Sequence, residues 1–195
     1  MTAATAATSE RRVVDSGQTR AELSIGDAWT ALSRVVDPEI PVVSVIELGI
    51  LRSIRYDIDD PALLVVTVTP TYSGCPATEV IAESIQAALV AAGFERVRID
   101  TALAPAWTTE WITSEGRRKL REFGITPPSG RTGAARIRPI DVAGISPLRH
   151  AASEIACPRC ASKRTQLVSQ FGSTACKAHY RCLDCLEPFD YFKPH

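Results

Sequence analysis

Neither charge sign dominates this chain. Its 195 residues carry 22 Lys and Arg against 22 Asp and Glu, so it lacks the electrostatic drive towards nucleic acid or an anionic membrane surface. No apolar run approaches the roughly 20 residues that a membrane-crossing helix needs. Histidine is scarce: His150, His179 and His195 are scattered, and no Glu-x-x-His pair of the kind that builds a di-iron bundle is present. There is no G-x-G-x-x-G fingerprint for a dinucleotide. Residues 1–20, rich in Ala, Thr and Ser with Arg11 and Arg12, have no apolar centre like that of a secretory signal. They are expected to form a disordered tail in the cytoplasm.

What the chain does have is cysteine, unevenly placed. Five of its six cysteines fall in residues 157–195. Cys157-Pro158-Arg159-Cys160 and Cys182-Leu183-Asp184-Cys185 are two C-x-x-C pairs with 21 residues between them. Two residues between thiolates let one tight turn present both sulfurs to a single ion, and the intervening length suits a hairpin that brings the pairs face to face. Cys157, Cys160, Cys182 and Cys185 are therefore the expected ligands of a structural zinc. An iron–sulfur or dithiol role is the alternative. Cys176-Lys177-Ala178-His179 is a C-x-x-H that supplies two alternate ligands, Cys176 and His179. The turns lack the glycine that many ribbons use after each knuckle, since Ala161 and Leu186 stand there. Phe189, Tyr191 and Phe192 are expected to pack beside the metal, because so small a unit buries little else.

The expected fold class is α+β. Residues 21–125 read as a small α-β-β-α-β two-layer domain. Trp29, Leu32 and Val36 recur at helical spacing over 28–36, with Ser24 and Asp27 placed for a capping box and Asp37-Pro38 as the stop. Residues 50–58 alternate as a strand, and 63–68 continue as a more buried one after Asp59-Asp60-Pro61. Ile81, Ile85, Ala88, Leu89 and Ala92 stripe a strong helix that stops at Gly93, and Val97, Ile99, Thr101 and Leu103 face one way along a third strand. A right-handed crossover makes the last two strands parallel. A short helix over 114–123 follows, with Gly124 beyond its end. Residues 126–150, broken by Pro and Gly, read as a linker or arm, and 151–195 as the zinc ribbon, each folded part with its own core.

Cys75 precedes Pro76 at the start of the strong helix. Pro76 suits a first helical position, so Cys75 stands at or beside the N-cap, where the helix dipole favours a thiolate. A small buried hydrophobe is the alternative role for this residue.

Two stretches resemble a known family. Residues 37–50 (DPEIPVVSVIELGI) and 69–76 (TPTYSGCP) are similar to the small α/β iron–sulfur assembly factors that include SufT-type proteins. CPRC at 157–160, FGSTACK at 171–177, YRC at 180–182 and CLEPFDYFK at 185–193 resemble the PaaD family of the phenylacetyl-CoA epoxidase system. The resemblance implies a non-catalytic accessory or maturation subunit in aerobic phenylacetate degradation. Its implied partners are a di-iron oxygenase and an iron–sulfur flavin reductase; a homodimer, with the 126–150 arm as a contact, is a separate expectation. It also implies that Cys75 is a ligand for a transient iron or iron–sulfur cluster, with Asp37, Glu39 and Glu47 as acidic residues of the same motifs. No catalytic activity is expected of the chain alone.

Two other functions remain to be weighed: a nucleic-acid-binding zinc ribbon and a thiol oxidoreductase. Residues 151–195 carry six Lys or Arg against four Asp or Glu, a weak footprint for phosphate binding.

Overall fold

The computed structural model describes residues 23–72, 74–128 and 155–194. The expected tail and most of the expected linker lie outside these residues. Among the described residues, no helix is long and apolar enough to cross a membrane.

The expected capping box forms. Asp27 N donates to Ser24 Oγ at 3.2 Å, and Ser24 N donates to Asp27 Oδ2 at 2.8 Å. This starts helix α1 at Ile25–Leu32, earlier than the apolar spacing places it. The helix also ends earlier than Val36. Val36 instead bridges Ser44, and Asp37 Oδ1 accepts from the amides of Glu39 and Ile40 at 2.8 and 2.9 Å. That turn at Asp-Pro pulls the preceding residues out of the helix.

Strands β1 (Leu51–Tyr56), β2 (Leu64–Val68) and β3 (Val97–Thr101) form a sheet in the order β1-β2-β3. β1 runs antiparallel to β2, and β2 parallel to β3. Helix α2 (Ala77–Ala91) makes the crossover and buries Ala77, Ile81, Ile85 and Leu89, as its stripe requires. Two strand ends fall short of the sequence reading. Ile58 is 90% exposed, because Asp57 turns back to accept from Asp59 N at 3.0 Å and closes the hairpin. Leu103 is exposed because β3 ends level with its partner at Val68↔Thr101. Arg52 lies at a bulge in β1 with its guanidinium 3.4 Å from the Trp111 ring centre.

The segment between α1 and β1 is held from the far side by helix α3 (Ser114–Phe123). Glu47 O accepts from Thr113 N at 2.9 Å. At Gly116 a Cβ would meet that same oxygen at 2.8 Å, so the close approach requires glycine. Gly49 has φ +70, and a Cβ there would lie 2.6 Å from Trp111 O. Gly49→Ala is therefore expected to destabilise by about 2–4 kcal/mol, from left-handed strain plus overlap with backbone. Urea unfolding measures it.

After α3, Gly124 takes the left-handed C-terminal position and the chain enters β4 (Ile125–Thr126). This strand joins a second sheet with β5 (Thr165–Ser169), β6 (Lys177–Cys182) and β7 (Pro188–Phe192), in the order β4-β7-β6-β5. β4 pairs parallel with β7 through Ile125↔Asp190 and Thr126↔Tyr191.

The ribbon has a cluster of its own, but two of its residues pack outside it. Phe189 and Tyr191 belong to the ribbon's cluster with Ile155, Ala178 and Cys182. Phe192 and Cys176 belong to the large cluster of the α/β layer, with Leu32, Leu48, Ile85 and Leu120. Strand geometry explains the split. Side chains alternate between faces, so Phe192 must point away from Phe189 and Tyr191. Its ring lies 5.8 Å from that of Trp107, whose Nε1 donates to Leu48 O at 2.9 Å.

Candidate functional site

The ribbon's two C-x-x-C turns are built alike. Cys157 N donates to Ser162 O and Cys182 N to Glu187 O, both at 2.9 Å. In each turn the fourth residue past the first cysteine has positive φ: Ala161 at 59 and Leu186 at 63. These are the positions where the expected glycines are missing, and the backbone adopts the glycine-like conformation regardless. Both residues are exposed, so little packing would be lost on truncation. Ala161→Gly and Leu186→Gly are each expected to stabilise the ribbon by about 0.5–1 kcal/mol, because strain of about 1–2 kcal/mol is relieved against glycine's added chain entropy. Thermal melts of the single variants provide the check.

The turns bring four sulfurs together. Cys157 and Cys185 Sγ are 3.7 Å apart, and Cys160 and Cys182 Sγ are 3.6 Å apart. All four lie within 4.8 Å of one another. A tetrahedral ion with metal–sulfur bonds of about 2.3 Å needs sulfurs about 3.8 Å apart, so the donor set fits such an ion.

The electrostatics of the metal-free set point the same way. The Cys185 amide, 3.5 Å from Cys182 Sγ, pulls the Cys182 thiol down to about 6. The amide of Glu187 favours the Cys185 thiolate, yet partial burial and the thiols of Cys160, Cys182 and Cys157 outweigh it and push Cys185 up to about 12. Four thiolates repel one another at this distance, and a divalent cation removes that repulsion.

The alternate ligands stand elsewhere. His179 Nδ1 is 3.2 Å from Asp190 Oδ1, and Cys176 lies in the other cluster.

Cys75 lines a separate cavity of about 260 Å³ where the ribbon meets the α/β layer. The helix starts one residue later than read from sequence, with Pro76 as N-cap and Ala77 first. Cys75 O accepts from Thr78 N at 3.2 Å and from Thr78 Oγ1 at 2.8 Å. The cavity wall includes Asp37, Glu39, Tyr72 and Cys176, over a floor of Leu48 and Phe192. Burial raises the carboxyl of Asp37, and the amides of Glu39 and Ile40 offset this only in part. Both of those amides bind one oxygen, Oδ1.

Glu47 does not join this group. It forms a reciprocal box with Ser44, whose N donates to Glu47 Oε2 at 2.8 Å, and its Oε1 lies 2.6 Å from Lys119 Nζ. Partial burial disfavours its charge, but the Lys119 ammonium and the Ser44 amide prevail and hold it below the usual carboxylate range. Of the three acidic motif residues, two face the cavity with Cys75 and one secures α3.

The sequence reading missed the placement of Cys176. Its one signal was a fifth thiol left over from the paired knuckles.

An α-β-β-α-β layer with a thiol at the start of its second helix, docked to a four-cysteine ribbon, defines an iron–sulfur-assembly-type domain joined to a metal ribbon. A family profile described as iron–sulfur cluster assembly protein matches residues 26–100, and one described as the PaaD zinc beta ribbon domain matches residues 144–193. The chain is 46% identical over 169 residues, 87% of its length and 92% of the other, to an Escherichia coli (strain K12) protein provisionally named as the D component of 1,2-phenylacetyl-CoA epoxidase. It belongs to the PaaD family of phenylacetyl-CoA epoxidase components.

Two shorter relatives match just under half of the chain. A protein of Porphyromonas gingivalis (strain ATCC BAA-308 / W83) named Fe-S protein maturation auxiliary factor is 32% identical, over 48% of this chain and 88% of its own. Its namesake YitW from Bacillus subtilis (strain 168) is 35% identical, over 42% of this chain and 74% of its own.

Proposed function

We propose that this protein is a non-catalytic accessory subunit of a phenylacetyl-CoA epoxidase system in the cytoplasm. It serves the assembly of an iron or iron–sulfur centre in the di-iron oxygenase or its iron–sulfur flavin reductase. The ion in the ribbon is Zn²⁺, held by Cys157, Cys160, Cys182 and Cys185 for structure. The iron is cargo, and Cys75 is the thiol that takes it. One observation carries this reading: Cys75 opens into a cavity at the foot of α2 together with the carboxyl groups of Asp37 and Glu39. A thiol and carboxylates together suit a borderline cation such as Fe²⁺.

Cys75→Ala tests it. The side chain is only partly buried, so unfolding free energy is expected to change by no more than about 1 kcal/mol. Oxygenase and reductase produced alongside the variant are nevertheless expected to contain several-fold less iron than those produced with the wild type. Full iron content in both partners with a folded Cys75→Ala chain overturns the assembly role.

A further inference from the structure

The cavity beside Cys75 has a second thiol in its wall, contributed by the opposite end of the chain. Cys176 immediately precedes β6 and is only 8% exposed. It packs with the cluster that contains Leu48, Ala77 and Phe192 rather than with the ribbon's own cluster. Its Sγ lies 3.1 Å from Thr174 Oγ1. The next residue, Lys177, is 4% exposed, with Nζ 3.7 Å from Asp190 Oδ2.

The groups around the cavity act on one another. Burial pushes the Cys176 thiol up; Thr174 and the Lys177 charge oppose this, while Asp37 and Cys75 add to it. Tyr72 is raised by burial and then by Cys75, Cys176 and Glu39.

We infer that Cys75 and Cys176 together ligate one thiophilic divalent cation, ferrous iron as cargo, in a site that exists only when the ribbon is docked on the α/β layer. The inference rests on the reading of Cys75 as the cargo thiol and adds its partner. Two thiolates select Fe²⁺, Co²⁺ or Zn²⁺ over Mg²⁺ or Ca²⁺. Asp37 and Glu39 contribute negative charge and oxygen donors at the same wall. At about 30 Å³ per water, the cavity has room for an ion and several water ligands. Binding exchanges each S–H for a sulfur–metal bond and releases its proton to solvent. No electrons move, so neither an oxidant nor a reductant is needed.

The two metal sites differ in completeness. Among the described residues, the ribbon cysteines are the one group of three or more ligating side chains whose donor atoms all lie within 4.8 Å. The junction donors do not converge so closely, which leaves coordination positions to water or to a ligand from an acceptor protein. A closed tetrathiolate retains its ion, whereas an open site can exchange it. The second thiol is supplied by the ribbon, so holding cargo depends on the ribbon being folded and docked.

The experiment loads the full chain, with the ribbon already saturated by zinc, with one equivalent of Fe²⁺ under anaerobic conditions. Iron-edge X-ray absorption then counts the sulfur neighbours. The wild type is expected to show two, and Cys75→Ser and Cys176→Ser one each, with Fe²⁺ affinity lowered about 100-fold or more in either variant. Zinc content should stay at one per chain throughout. If folded Cys176→Ser keeps wild-type affinity and sulfur count while Cys75→Ser loses the iron, the two-thiol site is overturned and the cargo role of Cys75 stands. Unimpaired iron binding in both variants overturns both readings. If Cys176→Ser does not fold, a short-reach bifunctional thiol reagent on the zinc-loaded wild type decides. A Cys75–Cys176 bridge located by peptide mass supports the site, and failure to bridge them overturns it.

Discussion

Cys182→Ser should empty the ribbon of zinc and lower the melting temperature of the whole chain by roughly 6–20 °C, not merely unfold its last residues. The first effect follows from chemistry. A structural zinc contributes about 10–16 kcal/mol of apparent binding free energy to folding a small unit, and the ribbon's own apolar cluster is small. The second follows from the shared core. Phe192 is 1% exposed and packed among residues of the α/β layer, and β7 also carries the pairing to β4. An unfolded ribbon withdraws both. Removing a buried aromatic of this kind costs about 3–5 kcal/mol, and a chain of this size loses about 2–4 °C per kcal/mol. Metal analysis and a thermal melt followed by tryptophan fluorescence read the two effects separately. A metal-free variant whose α/β layer melts at the wild-type temperature would show that the junction contributes nothing to stability.

Phe192→Ala isolates the junction from the metal. The four ribbon thiols are untouched, so zinc should remain at one per chain. Unfolding free energy should nevertheless fall by about 3–5 kcal/mol, a large share of the ~5–15 kcal/mol typical of a folded domain. The ring contact with Trp107 is lost and the cavity beneath Cys75 and Cys176 is enlarged. Ferrous iron bound there should weaken even though no ligand has been changed. Denaturant unfolding and zinc analysis on one preparation provide the check. A loss below about 1 kcal/mol would mean that the ribbon relaxes into the space and that the junction is plastic.

Much of the architecture was legible because it is written in short-range patterns. Ser24 and Asp27 announce a cap, the stripe of Ile81, Ile85 and Leu89 announces a helix, and Gly124 its neighbour's end. Two C-x-x-C turns announce a tetrathiolate. Each rests on residues a few positions apart, where backbone geometry alone relates the side chains. The errors were local as well: Ile58 and Leu103 continue an alternation in sequence, but the chain turns at Asp57 and the parallel partner of β3 stops at Val68. Glu47 reads as one of three equivalent acidic residues until Lys119 is seen beside it.

By itself the sequence determined most elements of the α/β layer, the paired cysteine knuckles and the thiol at the head of α2, because period, capping and ligand spacing are properties of contiguous residues. Only the tertiary structure decided that Phe192 leaves the ribbon for the α/β core and that Cys176 shares a cavity with Cys75 rather than joining the knuckles. Alternation along β7 sends the ring to one of two faces, but what waits on that face is set by the docking of two sheets through β4. No spacing rule relates residues so far apart. The cavity they share is a consequence of packing.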